Sequence, residues 1–216
     1  MKKEMKICLP PYKIGYALAF VLILCVIRSV VYEAEIGAAM DPLISLLALV
    51  FCADTYAAEA SSGRREILRL AHPGKVAAAI KRRMMLKMLY LLLIALLSYG
   101  LFHWQKPLCA SAGEGLLLGA VSVVSLAGSI LFWGGLSNAL STLCRNMWAG
   151  ISLSFLLWMF LFSTAGQSLG NWNVLSFAFR NIGDMADISW LPGKILGIGA
   201  GVALLLLNPL MIKKRG

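Results

Sequence analysis

Six long apolar segments, separated by short polar stretches, are the feature that most limits what this 216-residue chain can fold into. They lie at about 14–32, 42–58, 84–104, 115–140, 147–166 and 191–212. A helix needs about 20 mostly apolar residues to cross a bilayer, because its backbone polar groups must be hydrogen-bonded within the segment. Each segment approximately meets this requirement. The sequence therefore predicts an all-α integral membrane protein with six transmembrane helices in one domain, residues 1–216.

The composition agrees with lipid as the solvent for most of the surface. A soluble domain covers itself with charged residues, which make up about a quarter of its sequence. Here only 14% of residues are charged, 60% are hydrophobic and the mean hydropathy is +0.80. The net charge of +10 does not indicate nucleic acid, because the basic residues are not interleaved with aromatic residues and cluster between apolar segments. We expect a lipid membrane as a partner and no nucleic acid.

The positions of Lys and Arg predict the orientation of the six spans, since basic residues accumulate in cytoplasmic loops. With a cytoplasmic N terminus, sixteen of the 20 Lys and Arg residues fall on the inner side. The four on the outer side are Arg28, Lys106, Arg180 and Lys194. No small-x-small cleavage site follows the first apolar segment, which is therefore expected to remain as a span. The predicted topology places both termini in the cytoplasm.

The longest cytoplasmic connection is the basic stretch YAAEASSGRREILRLAHPGKVAAAIKRRMM, residues 56–85. Residues 61–71 begin with two serines that can cap a helix and continue mainly with strong helix formers. Basic side chains recur on one face of this helix, while Ile67 and Leu70 lie on another, and Pro73-Gly74 ends it. The pattern predicts a short amphipathic helix on the inner membrane surface. A simpler interpretation is an anchor to anionic lipid, worth about 1 kcal/mol per basic residue.

Two motifs within this layout resemble the permeases of the ABC-2 type transporter family. One is the order acid, Gly, acid, Leu and Pro in EASSGRREILRLAHP, formed by Glu59, Gly63, Glu66, Leu68 and Pro73. The other is GGLSNALSTLCRNMWAGISLSFLLW, where span four ends in a small polar turn at Arg145-Asn146 and span five begins at once. The resemblance covers nearly the whole chain. It departs from the family at MKKEMKICLPPYK, which is short and interrupted by prolines where the family has an amphipathic helix.

The resemblance implies the permease subunit of an ATP-driven exporter in a bacterial plasma membrane. Such a subunit forms a homodimer or heterodimer with a second permease subunit, works with a separate ATP-binding subunit and holds no cofactor of its own. The amphipathic segment is then similar to the coupling helix that docks on the ATPase. The residues implied in this contact are Arg64, Arg65, Glu66, Ile67, Leu68, Arg69 and Leu70.

The sequence shows no recognisable catalytic, nucleotide-binding or metal-binding motif. Gly74-Lys75 lacks the upstream glycine and the following Ser or Thr of a phosphate-binding loop, and neither H-E-x-x-H nor G-x-S-x-G occurs. His72 and His103 fall on opposite sides of the predicted membrane, so they cannot share a metal ion. The 5 cysteines have no metal-type spacing, and no internal disulfide framework is expected. We therefore expect that the chain is not an enzyme.

Ionisable residues inside spans are candidate functional residues, because charge is costly in lipid. Asp54 and Glu59 lie near the inner end of span two and Arg28 near the outer end of span one, whereas Glu33 and Asp41 are assigned to an outer loop. The three residues within spans can snorkel or pair with a nearby loop. Since few deeply buried acids are expected, an ion-coupled carrier is a weaker hypothesis than a permease. A scaffold that recruits a cytoplasmic partner through the basic loop is the other alternative.

Two further patterns concern packing. Gly193, Gly197 and Gly201 form a G-x-x-x-G-x-x-x-G face, which favours close helix packing in lipid, either within one chain or between two chains. Between spans five and six, QSLGNWNVLSFAFRNIGDMADISWLPG mixes aromatic and polar residues. That mixture predicts short helices at the outer membrane interface, with a solvated loop as the alternative.

Overall fold

The computed structural model describes residues 8–60, 73–105, 107–108, 112–181 and 187–215, and within these ranges it contains helices and no strand. The prediction of an all-α protein is therefore confirmed for the described chain. The six long helices are α1 Pro11–Ile27, α2 Glu33–Ala60, α3 Pro73–Trp104, α4 Ala112–Cys144, α5 Met147–Phe162 and α7 Leu191–Arg215. Between α5 and α7 lie the four-residue helix α6 Thr164–Gln167 and the 3-10 turns Gly170–Trp172 and Ser176–Phe179.

Four of these helices are long and apolar enough to cross a membrane. Their candidate spans are Glu33–Thr55, Ala78–Trp104, Gly115–Cys144 and Leu191–Asn208. The other two long helices, α1 and α5, are apolar but shorter, at 17 and 16 residues. Four helices thus support a membrane protein directly, whereas the sequence predicts six spans.

Helix α2 is the central helix of the bundle. In its most apolar window 83% of residues are buried, against 39%, 44% and 33% for the other three candidate spans. Its interior face carries Met40, Ile44 and Phe51, all fully buried in a core shared with Trp133 of α4. Because α2 is surrounded by protein on most sides, its polar residues must find partners inside the bundle.

The predicted start of span two, at about residue 42, is wrong, because α2 begins at Glu33. Asp41 and Pro42, which break the apolar pattern in the sequence, lie inside the helix. A proline within a helix removes one backbone hydrogen bond. Here the Trp158 indole of α5 donates to the Pro42 carbonyl at 3.0 Å, which ties the interrupted turn to a neighbouring helix. Asp41 is not in an outer loop but fully buried.

The turn between α4 and α5 begins where the sequence predicts it. Arg145 has a φ of 54°, in the left-handed region that ends helices. Asn146 then caps α5, its side chain accepting a hydrogen bond from the Trp148 amide at 2.9 Å. The chain therefore reverses direction within two residues, and α5 packs back along α4.

Helices α2, α4 and α7 run parallel to one another. The Ser129 hydroxyl donates to Asp41 at 2.5 Å. Eight residues further along both helices, the Ser137 hydroxyl donates to the Leu49 carbonyl at 2.7 Å, so α2 and α4 advance together. The same holds for α4 and α7. A side chain at position 128 would meet Ile198, and one at position 135 would meet Leu204.

Helices α1, α3 and α5 run in the opposite direction. Lys87, near the start of the apolar part of α3, contacts Asp54 near the end of α2, while His103 at the other end of α3 lies 3.9 Å from Glu33. Lys13 at the start of α1 also contacts Asp54. The six long helices therefore alternate in direction along the chain. We call the end that holds Lys13, Lys87 and Arg145 the basic end, and the opposite one the far end.

Candidate functional site

A buried ion pair joins three helices near the far end. The Lys194 ammonium donates to both Asp41 oxygens, at 2.8 and 2.7 Å, and to the Ser129 hydroxyl at 2.5 Å. Asp41 and Ser129 are 0% exposed and Lys194 is 2% exposed. We name these three residues the Asp41 cluster. They connect α2, α4 and α7 through charge-assisted hydrogen bonds that are shielded from solvent.

Lys194 reaches Asp41 because α7 approaches the preceding segment very closely. Gly193 lies directly against the Asn173 carbonyl, so that any side chain at this position would overlap the backbone. The Phe177 ring centroid lies 6.0 Å from the Lys194 nitrogen and adds an aromatic face beside the ammonium group. Lys194, which the sequence counts as an outer-side charge at the start of the sixth segment, therefore pairs inside the bundle. The residue stands in the first turn of α7 with its charge turned inward.

A second charge cluster lies near the basic end. The Lys87 ammonium donates to Asp54 at 2.6 Å and to the Thr55 hydroxyl at 3.0 Å, and the Lys13 ammonium donates to the other Asp54 oxygen. The Thr55 hydroxyl donates in turn to the Cys52 carbonyl at 2.7 Å. We name Lys13, Asp54, Thr55 and Lys87 the Asp54 cluster. It joins α1, α2 and α3, and it gives Asp54, a residue expected to snorkel or pair with a loop, two partners on neighbouring helices.

The two clusters lie at different depths of the same helix. Asp41 and Asp54 are 13 residues apart on α2. At 1.5 Å per residue this separation is about 20 Å, against a hydrocarbon thickness of about 30 Å. Each cluster therefore lies near one end of the membrane-spanning part of the bundle, and the polar groups between them belong mainly to α4.

Helix α4 presents a row of buried polar side chains to the interior. Its members are Ser122, Ser125, Ser129, Ser137, Asn138, Ser141 and Thr142. Among the described residues, the amide atoms of Asn138 and the hydroxyls of Ser125 and Ser141 have no hydrogen-bond partner. Small and polar residues let helices approach closely in lipid. At Gly150 the backbone of α5 comes so near Ser141 that a side chain there would overlap it.

The three glycines predicted to mediate helix packing all lie against other parts of the same chain. Besides the contact of Gly193 with Asn173, a Cβ atom at Gly197 would lie 2.9 Å from Val174. At Gly201 it would lie 3.0 Å from the Leu131 backbone on α4. This face of α7 is therefore occupied within the subunit.

The segment between α5 and α7 is held to the bundle by Asn173. Its side-chain amide donates to the Leu161 and Gly166 carbonyls at 2.8 and 2.9 Å, and its oxygen accepts from the Leu175 amide at 2.9 Å. Nearby, the Arg180 guanidinium donates to the Ala34 carbonyl and lies 4.5 Å from the Phe177 ring. Partial burial lowers the pKa of Arg180 below its ordinary value.

Of the remaining sequence candidates, only Arg28 has a described side chain. Arg28 follows the last turn of α1 and is exposed. The backbone of Glu59 belongs to α2. The implied coupling residues, Arg64, Arg65, Glu66, Ile67, Leu68, Arg69 and Leu70, lie outside the described residues.

Sequence reasoning missed Asp41, Lys194, Lys13 and Lys87 as partners. The available signal is charge near the edge of an apolar segment, which a local pattern interprets as charge at the membrane surface. An acidic residue on one apolar segment and a lysine on another form the pattern that could have indicated these pairs.

Comparisons with known proteins do not identify a relative of this chain. No family model matches it, and neither do any curated proteins or solved structures.

Proposed function

We propose that the chain is the membrane permease subunit of an ATP-driven exporter, of the ABC-2 type, with a separate ATP-binding subunit as its partner. The observation that carries this proposal is the continuity of α2. This single helix, Glu33–Ala60, holds both Asp41 and Asp54 and leads directly into the amphipathic segment at residues 61–72. A partner that moves this segment would therefore act on a helix that is bonded to α1, α3, α4 and α7.

The helices on either side of the amphipathic segment extend beyond their apolar parts. The candidate span of α2 ends at Thr55 and that of α3 begins at Ala78, whereas the helices continue to Ala60 and start at Pro73. Five extra residues on each helix correspond to about 8 Å of rise. The ends of α2 and α3 thus extend past their apolar parts at the basic end, and we place the contact with a soluble ATPase at this end.

The proposal includes six spans with both termini in the cytoplasm. The 17 residues of α1 reach the lower limit of about 17 for a transmembrane helix. The 16 residues of α5 are followed, after Ser163 alone, by the four-residue helix α6. Alternating directions of the six long helices and the excess of Lys and Arg at the basic end support this topology.

Co-purification from native membranes tests the partnership. The tagged chain is expected to retain a P-loop ATPase, and Leu70→Asp is expected to release it, because a buried carboxylate opposes docking of an apolar edge. Leu70→Met is the matched control and should retain the partner. If an ATPase is absent from the purified chain, or if it remains with both Leu70→Asp and Arg65→Glu, the proposal is wrong.

An ion-coupled carrier is the second candidate, favoured by the complete burial of Asp41 beside Lys194. Intramembrane acids of this kind commonly serve ion translocation. Transport that persists in ATP-depleted vesicles under a proton gradient, and is lost in Asp41→Asn, would support the carrier over the permease.

A further inference from the structure

We propose that the Asp54 cluster binds the phosphate of an anionic lipid at the basic end of the bundle. The proposal goes beyond the permease function and does not depend on an ATPase partner. It rests on the charge of the cluster, on nearby hydroxyl groups that have no hydrogen-bond partner among the described residues, and on the apolar outer surface of the same helices.

The first observation is an excess of positive charge. Two ammonium groups, of Lys13 and Lys87, share the single carboxylate of Asp54, and both lysines are buried. Buried charge is costly unless it is neutralised and hydrogen-bonded. Among the described side chains, the second lysine has no carboxylate of its own. A bound anion would supply the missing charge.

The second observation is a pair of tyrosines with buried hydroxyl groups. Tyr16 and Tyr90 flank the Phe51 ring, with centroid distances of 5.5 and 5.6 Å. Neither hydroxyl has a hydrogen-bond partner among the described residues. Each tyrosine follows its lysine by three residues on α1 or α3, and helical side chains lean toward the helix N terminus. Both hydroxyls therefore belong to the same region as the two ammonium groups and can donate to a phosphate oxygen.

The third observation concerns access. The Asp54 side chain is 20% exposed, unlike Asp41, so the cluster opens to the surface. The outer surfaces of α1 and α3, the helices that carry Lys13 and Lys87, bear exposed apolar side chains, including Tyr12, Leu18, Leu89 and Leu93. Such surfaces face acyl chains in a bilayer. A phosphate attached to a lipid fits this combination of a basic opening beside an apolar wall, whereas a free phosphate would not use the wall.

The test compares the purified full-length chain with three probes: phosphatidylglycerol, phosphatidylcholine and inorganic phosphate. Binding is measured by native mass spectrometry and by the shift in thermal unfolding temperature. Phosphatidylglycerol is expected to bind and stabilise the wild-type chain more than phosphatidylcholine. If inorganic phosphate stabilises equally, the site binds free phosphate and the lipid proposal is overturned.

Substitutions of Lys87 and of Asp54 are expected to change lipid binding in opposite directions. Lys87→Met leaves a neutral Lys13–Asp54 pair and should weaken phosphatidylglycerol binding about fivefold, the effect of one basic residue at a membrane surface. Asp54→Asn removes the competing carboxylate and should strengthen binding about fivefold. A purely structural cluster would lose stability in both variants without this change of sign. Lys87→Arg should retain binding, which keeps the test valid if Lys87→Met does not fold.

Two further variants serve as controls. Lys81→Met removes an exposed charge from the same end and should change binding less than Lys87→Met does, since it lies outside the cluster. Glu59→Gln addresses the next carboxylate along α2. If that variant strengthens lipid binding as Asp54→Asn does, Glu59 already neutralises the second lysine, and the excess charge on which the proposal rests is absent from the wild-type chain.

Discussion

The two charge clusters on α2 solve the same physical problem in different ways. In the Asp41 cluster one ammonium group meets one carboxylate, and the pair is sealed from solvent. In the Asp54 cluster two ammonium groups meet one carboxylate whose side chain is 20% exposed. A sealed site must be electrically balanced, whereas a site open to the surface can hold an excess charge that counter-ions or lipid headgroups screen. The first arrangement suits a fixed joint between helices, and the second suits binding.

The largest predicted effect is at the sealed cluster. Lys194→Met leaves Asp41 buried without a cation, which should cost roughly 3–5 kcal/mol of unfolding free energy. The double variant Asp41→Asn with Lys194→Met removes both charges and should recover most of that loss. Unfolding of the detergent-solubilised chain measures both. Equal destabilisation of the single and double variants would show that the pair is not the source of the effect.

A steric change next to the same cluster should have the second largest effect. Gly193→Ala places a methyl group against the Asn173 carbonyl and shifts the first turn of α7, on which Lys194 stands. Overpacking of this kind costs roughly 1–3 kcal/mol. Gly199→Ala is the matched control in the same helix, because nothing lies within 4 Å of the added atom. It should stabilise the chain slightly, since alanine favours helix over glycine. The same unfolding assay should therefore show a loss of stability for Gly193→Ala and a small gain for Gly199→Ala.

The contrast between the clusters explains how much the sequence could predict. The all-α fold, the long apolar segments and the Arg145-Asn146 turn follow from local patterns, because hydropathy and capping act over a few residues. The burial of Asp41 does not, because it depends on Lys194, a residue 153 positions away. Without that contact, a local pattern assigns Asp41 to an outer loop and starts the second helix too late, and it counts Lys194 only as an outer-side charge.

The candidate site was predictable to the extent that charge stood out against an apolar background. Asp54 stands inside an apolar segment, so the sequence indicates it directly. Lys13 flanks its segment and Lys87 lies in the first turn of its segment, so both look like ordinary cytoplasmic charges. Only the packing of α1 and α3 against α2 brings both lysines to one carboxylate.

The open cluster should tolerate a comparable loss of charge. Lys13→Met leaves Asp54 paired with Lys87, so the expected cost is about 1 kcal/mol, close to that of a partly exposed ion pair. Under the same conditions Lys194→Met should be clearly more destabilising. If the two variants cost the same, the Asp54 cluster is as sealed as the Asp41 cluster, and the distinction between them fails.

The smallest predicted effect is a pH dependence confined to the far end. Hydrogen bonds from Ser189 and from the Asn181 amide lower the pKa of Asp187 below its usual value of 3.8. Because the folded-state pKa is depressed, the associated stability is present above the unfolded-state pKa and is lost as the pH falls below about 4. Asp187 accepts bonds beside Trp190, whose indole donates to the Asp187 carbonyl at 3.0 Å.

Acidification should therefore loosen the segment that covers Lys194 and leave the basic end unchanged. Hydrogen exchange of residues 173–190 at pH 6 and pH 3 measures this loosening, with Asp187→Asn as the control. In that variant the part of the pH dependence due to Asp187 should disappear, because the side chain no longer titrates. A wild-type acid response that persists unchanged in Asp187→Asn would assign it to another group. An equal increase in exchange around Asp54 would show that the two ends of α2 do not respond independently.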